Sequence, residues 1–106
     1  MTTVGSNGTP NAIYVTCMKK VSENRIVVAN NKMSKTEANI KAGSLVSLLY
    51  LTKDKKAFQV KGTAHFQTSG ELYDDMKNGW LDPKFPGREA LVIDIEEVYS
   101  GAEKLA

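Results

Sequence analysis

Lysines and hydroxyls crowd one short run of this chain, Lys32-Met33-Ser34-Lys35-Thr36-Glu37-Ala38-Asn39-Ile40, at the point where a helix should begin. A helix N-terminus, with its unpaired amides and macrodipole, favours a nearby negative charge by roughly 0.3–1 kcal/mol and repels a positive one by a similar argument. Lys32 and Lys35 therefore call for an anion. Ser34 and Glu37 have the spacing of a capping box, Ala38 and Ile40 suit a helix, and Gly43 can close it in a left-handed turn, so the pattern predicts a helix over Lys35–Ala42. Free amides, two ammonium groups and the Thr36 hydroxyl converging on one point suit a phosphate group. The alternative is a solvated helix end whose lysines point away.

Little else in the chain suggests chemistry. Lys and Arg total 14 against 12 Asp and Glu, a net charge of +2, so no global field draws the protein to nucleic acid or membrane. The single cysteine, Cys17, and the single histidine, His65, exclude an intrachain disulfide and a zinc cluster. A Cys/His nucleophile pair competes with the simpler reading of a buried strand cysteine and a sheet histidine. No run approaches the roughly 20 apolar residues that span a bilayer, and the Met1–Gly8 opening is too polar for the hydrophobic region of a signal peptide. These features predict a cytoplasmic protein without bound metal. A length of 106 residues fits one domain that is small enough to gain from oligomerisation.

The elements that must position the lysine run are mostly strands. Ser6–Pro10 reads as a turn and Ile13–Met18, rich in β-branched and aromatic residues, as a strand. After a reversal at Glu23-Asn24, Arg25–Ala29 has the continuous apolar character of a strand buried on both faces. Leu45–Thr52 and Ala57–Thr68 flank the charged turn Lys53–Lys56 and predict a hairpin, with Gly62 marking a bulge or close backbone approach. Ser69 is placed to cap a second short helix carrying Leu72, Tyr73 and Met76 on one face, and Gly79 to end it. Trp80–Gly87, with two prolines, reads as an irregular loop bearing two aromatics. Glu89–Tyr99 alternates, with Leu91, Ile93 and Ile95 on one face and Asp94 and Glu96 on the other. About six antiparallel strands with two brief helices predict an all-β Greek-key or meander barrel, because parallel strands need crossovers of about a dozen residues.

The order Gly8-Thr9-Pro10-Asn11, Asn24-Arg25-Ile26-Val27-Val28 and Met33-Ser34-Lys35-Thr36-Glu37-Ala38-Asn39, continued through Gln59–Phe66 and Glu89–Asp94, resembles the FMN-binding split-barrel family related to pyridoxamine 5'-phosphate oxidase. The resemblance covers nearly the whole chain. It implies a six-stranded antiparallel Greek-key split barrel that forms a homodimer, with FMN in clefts between the subunits; the family reuses the same cleft for deazaflavin and haem. By position, Lys35 and Thr36, helped by Ser34, would bind the FMN phosphate. Tyr14, Val15 and Thr16 would run along the flavin ring, largely through backbone groups, with Asn30, Asn31 and Lys32 flanking it. Trp80 or Phe85 would supply the aromatic that the family often offers from the partner subunit, unless each simply plugs the barrel end.

Two departures qualify the resemblance, and the second stands against a true pyridoxamine 5'-phosphate oxidase. The helix and full first strand usual in the family are reduced to Met1-Thr2-Thr3-Val4, and after Tyr99 no arginine- and histidine-bearing segment remains to clamp a phosphorylated substrate. The resemblance thus implies an FMN flavoprotein, an oxidoreductase or electron carrier serving a small-molecule redox partner or an electron-transfer protein. The alternative is a non-catalytic small barrel that holds a phosphorylated ligand or single-stranded nucleic acid.

Overall fold

Branched apolar runs become the middle of the molecule in the computed structural model, which describes residues 1–106. The elements are β1 (Thr2–Val4), β2 (Pro10–Ala12), β3 (Met18–Ser22), β4 (Arg25–Asn30), α1 (Lys35–Lys41), β5 (Val46–Leu51) and β6 (Ala57–Gln67). There follow α2 (Glu71–Asp75), which runs on as a π-helical turn over Met76–Trp80, then β7 (Glu89–Ser100) and β8 (Glu103–Lys104). All pairings are antiparallel, in the order β2-β1-β5-β6-β7-β4-β3, with β8 folding back on the end of β7. The fold is the split barrel, with eight strands rather than six because short pairings at both termini add to the sheet. No helix is long and apolar enough to cross a membrane.

Burial explains which strands are central. Ile26, Val28, Val46, Leu48, Val60, Leu91 and Ile93 form the larger core with Ile40 of α1, and Val27, Ala29, Ala90 and Val92 face the other way against Met76 and Leu81. β4 is therefore buried on both faces, as its unbroken branched run requires. Ala90–Ile93 of β7 is too, at 0% exposure for each residue, although simple alternation predicts one wet face. Each fully buried Val, Leu or Ile side chain contributes about 1.5–3 kcal/mol.

At Gly62 the predicted irregularity is present. Lys61 pairs with Glu97 and Gly62 with Ile95, so the extra residue is Glu96, bulged out of β7. A Cβ on Gly62 would lie 1.9 Å from the Asp94 carbonyl oxygen, which only glycine avoids. The β5–β6 hairpin forms over Lys53–Lys56 as its charged turn predicts.

Three local expectations are corrected. Ile13–Met18 is not a strand: β2 ends at Ala12, β3 begins at Met18, and the two lie at opposite ends of the sheet, so the run between them crosses the seam as an unpaired extended strap. Its period-two pattern is real, with Ile13 and Val15 packed on the core and Tyr14 93% exposed, but no strand pairs with its middle, Tyr14 to Thr16. Ser34 stands at the N-cap of α1 without a side-chain cap bond, because Glu37 is drawn away to Asn30. Ser69 caps nothing either: Gly70, at φ 98°, occupies that position, and Gly79 falls inside the π turn instead of ending the helix. By contrast α1 ends as predicted, with Gly43 at φ 101° and the Gly43 and Ser44 amides bonded to the Ile40 and Asn39 carbonyls.

Candidate functional site

Where the strap crosses the seam it leaves a cleft of about 730 Å³, within the usual range for ligand sites. One side is the strap from Ile13 to Cys17 with Val28 and Ala29 behind it, a second is Asn31–Thr36, and Lys84–Pro86 closes over as the third. Neither Asp, Glu, Arg nor His lines it, whereas Lys32, Lys35 and Lys84 do. None of these three lysines has a carboxylate partner.

The strap differs from the strands in its hydrogen bonding. Ile13 exchanges bonds with Met1 at 2.8 and 2.9 Å, and the Cys17 carbonyl accepts from the Ala29 amide at 2.9 Å. Between these anchors the backbone groups of Tyr14, Val15 and Thr16 have no partner in the chain. Backbone donors and acceptors are obligatory bonding groups, so these stand ready for water or a ligand. At the start of α1 the first intrahelical amide bond is Ala38 to the Ser34 carbonyl, which leaves the amides of Lys35 and Thr36 free as well. Thr36 is buried, and its Oγ1 accepts a bond from Asn11 Nδ2 at 3.1 Å, so the hydroxyl proton remains for another acceptor.

Behind the Asn31–Thr36 wall lies a polar cluster centred on the buried Asn30. Glu37 and Glu89 both accept from Asn30 Nδ2, at 2.8 and 2.9 Å, and Lys41 Nζ stands 3.7 and 3.9 Å from their outer oxygens. The bond shared with Glu89 holds the Glu37 carboxyl below the usual carboxylate range, with help from Asn30, Lys41 and Arg88. Burial pushes Glu89 the other way, and its bond with Glu37 adds to the rise. One carboxyl is thus kept the more acidic and its neighbour the more basic.

The structure brings together most residues singled out from the sequence. Tyr14, Val15, Thr16, Asn31, Lys32, Ser34, Lys35, Thr36 and Phe85 all line the cleft. Asn30 does not; it is 0% exposed and faces the carboxyl cluster. Trp80 does not either, packing on the second core with its indole nitrogen buried and unpartnered. Cys17, half-buried ahead of β3, lines the cleft, while His65 stands apart on β6, 3.7 Å from Asp94, so no Cys/His pair forms. Sequence reasoning assigned no role to Asn11, Met33, Lys84 or Pro86, whose places depend on contacts between distant segments. The Asn11–Thr36 bond, 25 residues apart in sequence, left no local signal.

The family model described as pyridoxamine 5'-phosphate oxidase matches residues 1–101. An uncharacterized protein of Methanocaldococcus jannaschii is 28% identical over 103 residues, covering 92% of this chain and 68% of that protein. Among solved structures, HupZ of Group A Streptococcus superposes with a TM-score of 0.86 at 19% identity, covering 99% of this chain and 86% of its own. An FMN-binding protein of Syntrophomonas wolfei superposes with a TM-score of 0.76 at 23% identity, covering 92% and 72%. At these identities the structural likenesses establish the fold alone.

Proposed function

The chain belongs to the pyridoxamine 5'-phosphate oxidase family, and from that premise we propose that the seam cleft binds FMN and that the protein is a small flavoprotein, an oxidoreductase or electron carrier. The observation that carries this reading is the strap: three consecutive residues, Tyr14 to Thr16, with unpaired backbone groups along one side of a cleft whose far end holds Lys35 and Thr36. A planar heterocycle edged with alternating donors and acceptors suits the first, and a phosphate suits the second. The name of the Syntrophomonas wolfei neighbour agrees with it.

On this reading Lys35, Ser34 and Thr36 hold the phosphate, and the strap orients the ring with Asn31 and Lys32 beside it. Phe85, on the covering loop, packs over the apolar part of the ligand and excludes water. A bound flavin supplies the hydride or electron transfer itself, so the protein needs to contribute position and polarity. The cleft lining offers no carboxyl or imidazole as a general acid or base. It also offers no arginine or histidine to orient a second phosphate, which argues against pyridoxamine 5'-phosphate as the substrate.

A homodimer belongs to the same proposal. Leu49 and Leu51 on the outward face of β5 are each 69% exposed, Leu45 just before it 63%, and Val4 on the adjoining β1 49%. Such a patch marks a contact surface, and a second copy of the chain is the partner that fits the family. The direct test is the absorbance of the protein as purified, with mass spectrometry of the released cofactor. Bound FMN, lost in Lys35→Ala, is expected; a colourless wild type that gives no response to added FMN refutes the reading.

A further inference from the structure

Asn30 borders the cleft without touching it. Its carboxamide is fully buried and fully used: Nδ2 donates to Glu37 Oε1 and Glu89 Oε1, and Oδ1 accepts from the Met33 amide at 2.9 Å and from Arg88 Nη2 at 3.2 Å. Two donors on one side and two acceptors on the other allow the group only one orientation. The Asn30 carbonyl accepts from the Arg88 amide at 2.9 Å, Asn31 Oδ1 accepts from the Gly87 amide at 2.9 Å, and Arg88 Nη2 also reaches the Met33 carbonyl at 3.2 Å. Residues 30–33 lead into one wall of the cleft, and Gly87-Arg88 directly follow the Lys84–Pro86 loop that forms another. The two walls come from segments about fifty residues apart, and this set of bonds ties them together.

We propose that Asn30 is the positioning residue of the cleft: it clasps the Asn31–Thr36 wall to the Lys84–Pro86 wall and so fixes the gap a cofactor enters, acting on the ligand only through those walls. The inference rests on the FMN reading of the cleft. Its distinctive consequence lies in charge. Asn30→Asp keeps the shape of the side chain and the acceptor that serves Met33 and Arg88, yet it sets a third carboxylate against Glu37 of α1 and Glu89 of β7. Only Lys41 of α1 and Arg88, 4.0 Å from Glu37, face the cluster as cations. Repulsion opens the clasp while the three acids are ionised, and protonation closes it again.

The test measures FMN affinity of wild type and Asn30→Asp by flavin fluorescence, near pH 8 and near pH 5, with hydrogen exchange at the Met33 and Gly87 amides. Taking the ratio of variant to wild type at each pH cancels the titration of the FMN phosphate. We expect the variant to bind about tenfold more weakly near pH 8 and within about threefold of wild type near pH 5, since losing a charge-assisted contact has effects of that order. Faster exchange at both amides should accompany the weak state, and Glu89→Gln in the Asn30→Asp background should recover most of the affinity near pH 8. Equal affinity at both pH values with both amides still protected overturns the proposal. So does weakened binding that neither acid nor Glu89→Gln relieves, because that is general damage to the fold. Should Asn30→Asp fail to fold near pH 8, Arg88→Met cuts the same clasp from a half-exposed side chain: weaker FMN binding at little change in melting temperature supports the clasp, and unchanged binding overturns it. A wild type that binds no FMN refutes the cofactor reading instead, and exchange at Met33 and Gly87 in the free protein then decides whether the walls are tied.

Discussion

Replacing Thr36 with valine and with serine separates what its hydroxyl does for the fold from what it does for a ligand. Thr36 is 1% exposed, and its Oγ1 accepts from Asn11 Nδ2 at 3.1 Å. Valine keeps the branched shape and removes the oxygen. In the free protein Asn11 loses one bond, and because Asn11 is only half-buried water replaces part of it, so the expected loss of stability is about 0.5–1.5 kcal/mol. In the FMN complex the loss is larger. The hydroxyl proton, which Asn11 leaves unused, is available to a phosphate oxygen, and a bond to a charged group is worth about 1.5–3 kcal/mol, or roughly tenfold to a hundredfold in affinity. Serine keeps the oxygen and deletes a buried methyl, which costs about 0.8 kcal/mol of stability with FMN affinity held near wild type. Urea unfolding gives the first quantity and flavin fluorescence titration the second. If both variants weaken FMN equally, or Thr36→Val binds as tightly as wild type, the hydroxyl does not hold the phosphate.

Gly62→Ala should destabilise the barrel by about 1–3 kcal/mol in urea unfolding, because its methyl group has no room beside the Asp94 carbonyl. Burial raises the pKa of Glu89, so the protonated form is favoured by folding: its contribution is complete at low pH and is lost as pH rises through the raised value. Urea midpoints of wild type should therefore fall between the ordinary carboxylate range and neutrality by more than those of Glu89→Gln, and parallel curves would show that Glu89 is not perturbed. Leu49→Lys should shift the protein from dimer to monomer in sedimentation, whereas a wild type that sediments as a monomer removes the proposed contact. Dithionite should bleach the bound flavin and air restore it, without steady turnover of pyridoxamine 5'-phosphate; such turnover would require a substrate site elsewhere.

Elements whose signal is local were legible in the sequence. The branched run at Ile26–Val28, the hairpin around Lys53–Lys56 and the Gly43 stop of α1 depend on neighbours a few residues away, and all three stand as predicted. The strap was misread because Ile13–Cys17 has the alternation of a strand, while pairing depends on what lies across the seam. Ser34 and Ser69 match capping patterns, but Glu37 is claimed by a buried asparagine and a left-handed glycine already opens α2. The same distinction runs through the site. Lys35 and Thr36 are marked by their place at a helix start, whereas nothing near Asn30 or Trp80 in sequence says that one is enclosed by two carboxyls and the other by the second core.

The strap lends itself to evolutionary change. Tyr14, Val15 and Thr16 contribute no backbone bond to the barrel, and two of the three side chains point to solvent, so selection for folding bears lightly on them. Ala90–Ile93, sealed on both sides, has no such freedom. Side chains along this one stretch can therefore be exchanged at little cost to the scaffold, which on the proposed reading would change the face the cleft presents to its ligand. The segment that crosses the seam is where new specificities would be expected to arise at least risk to the structure.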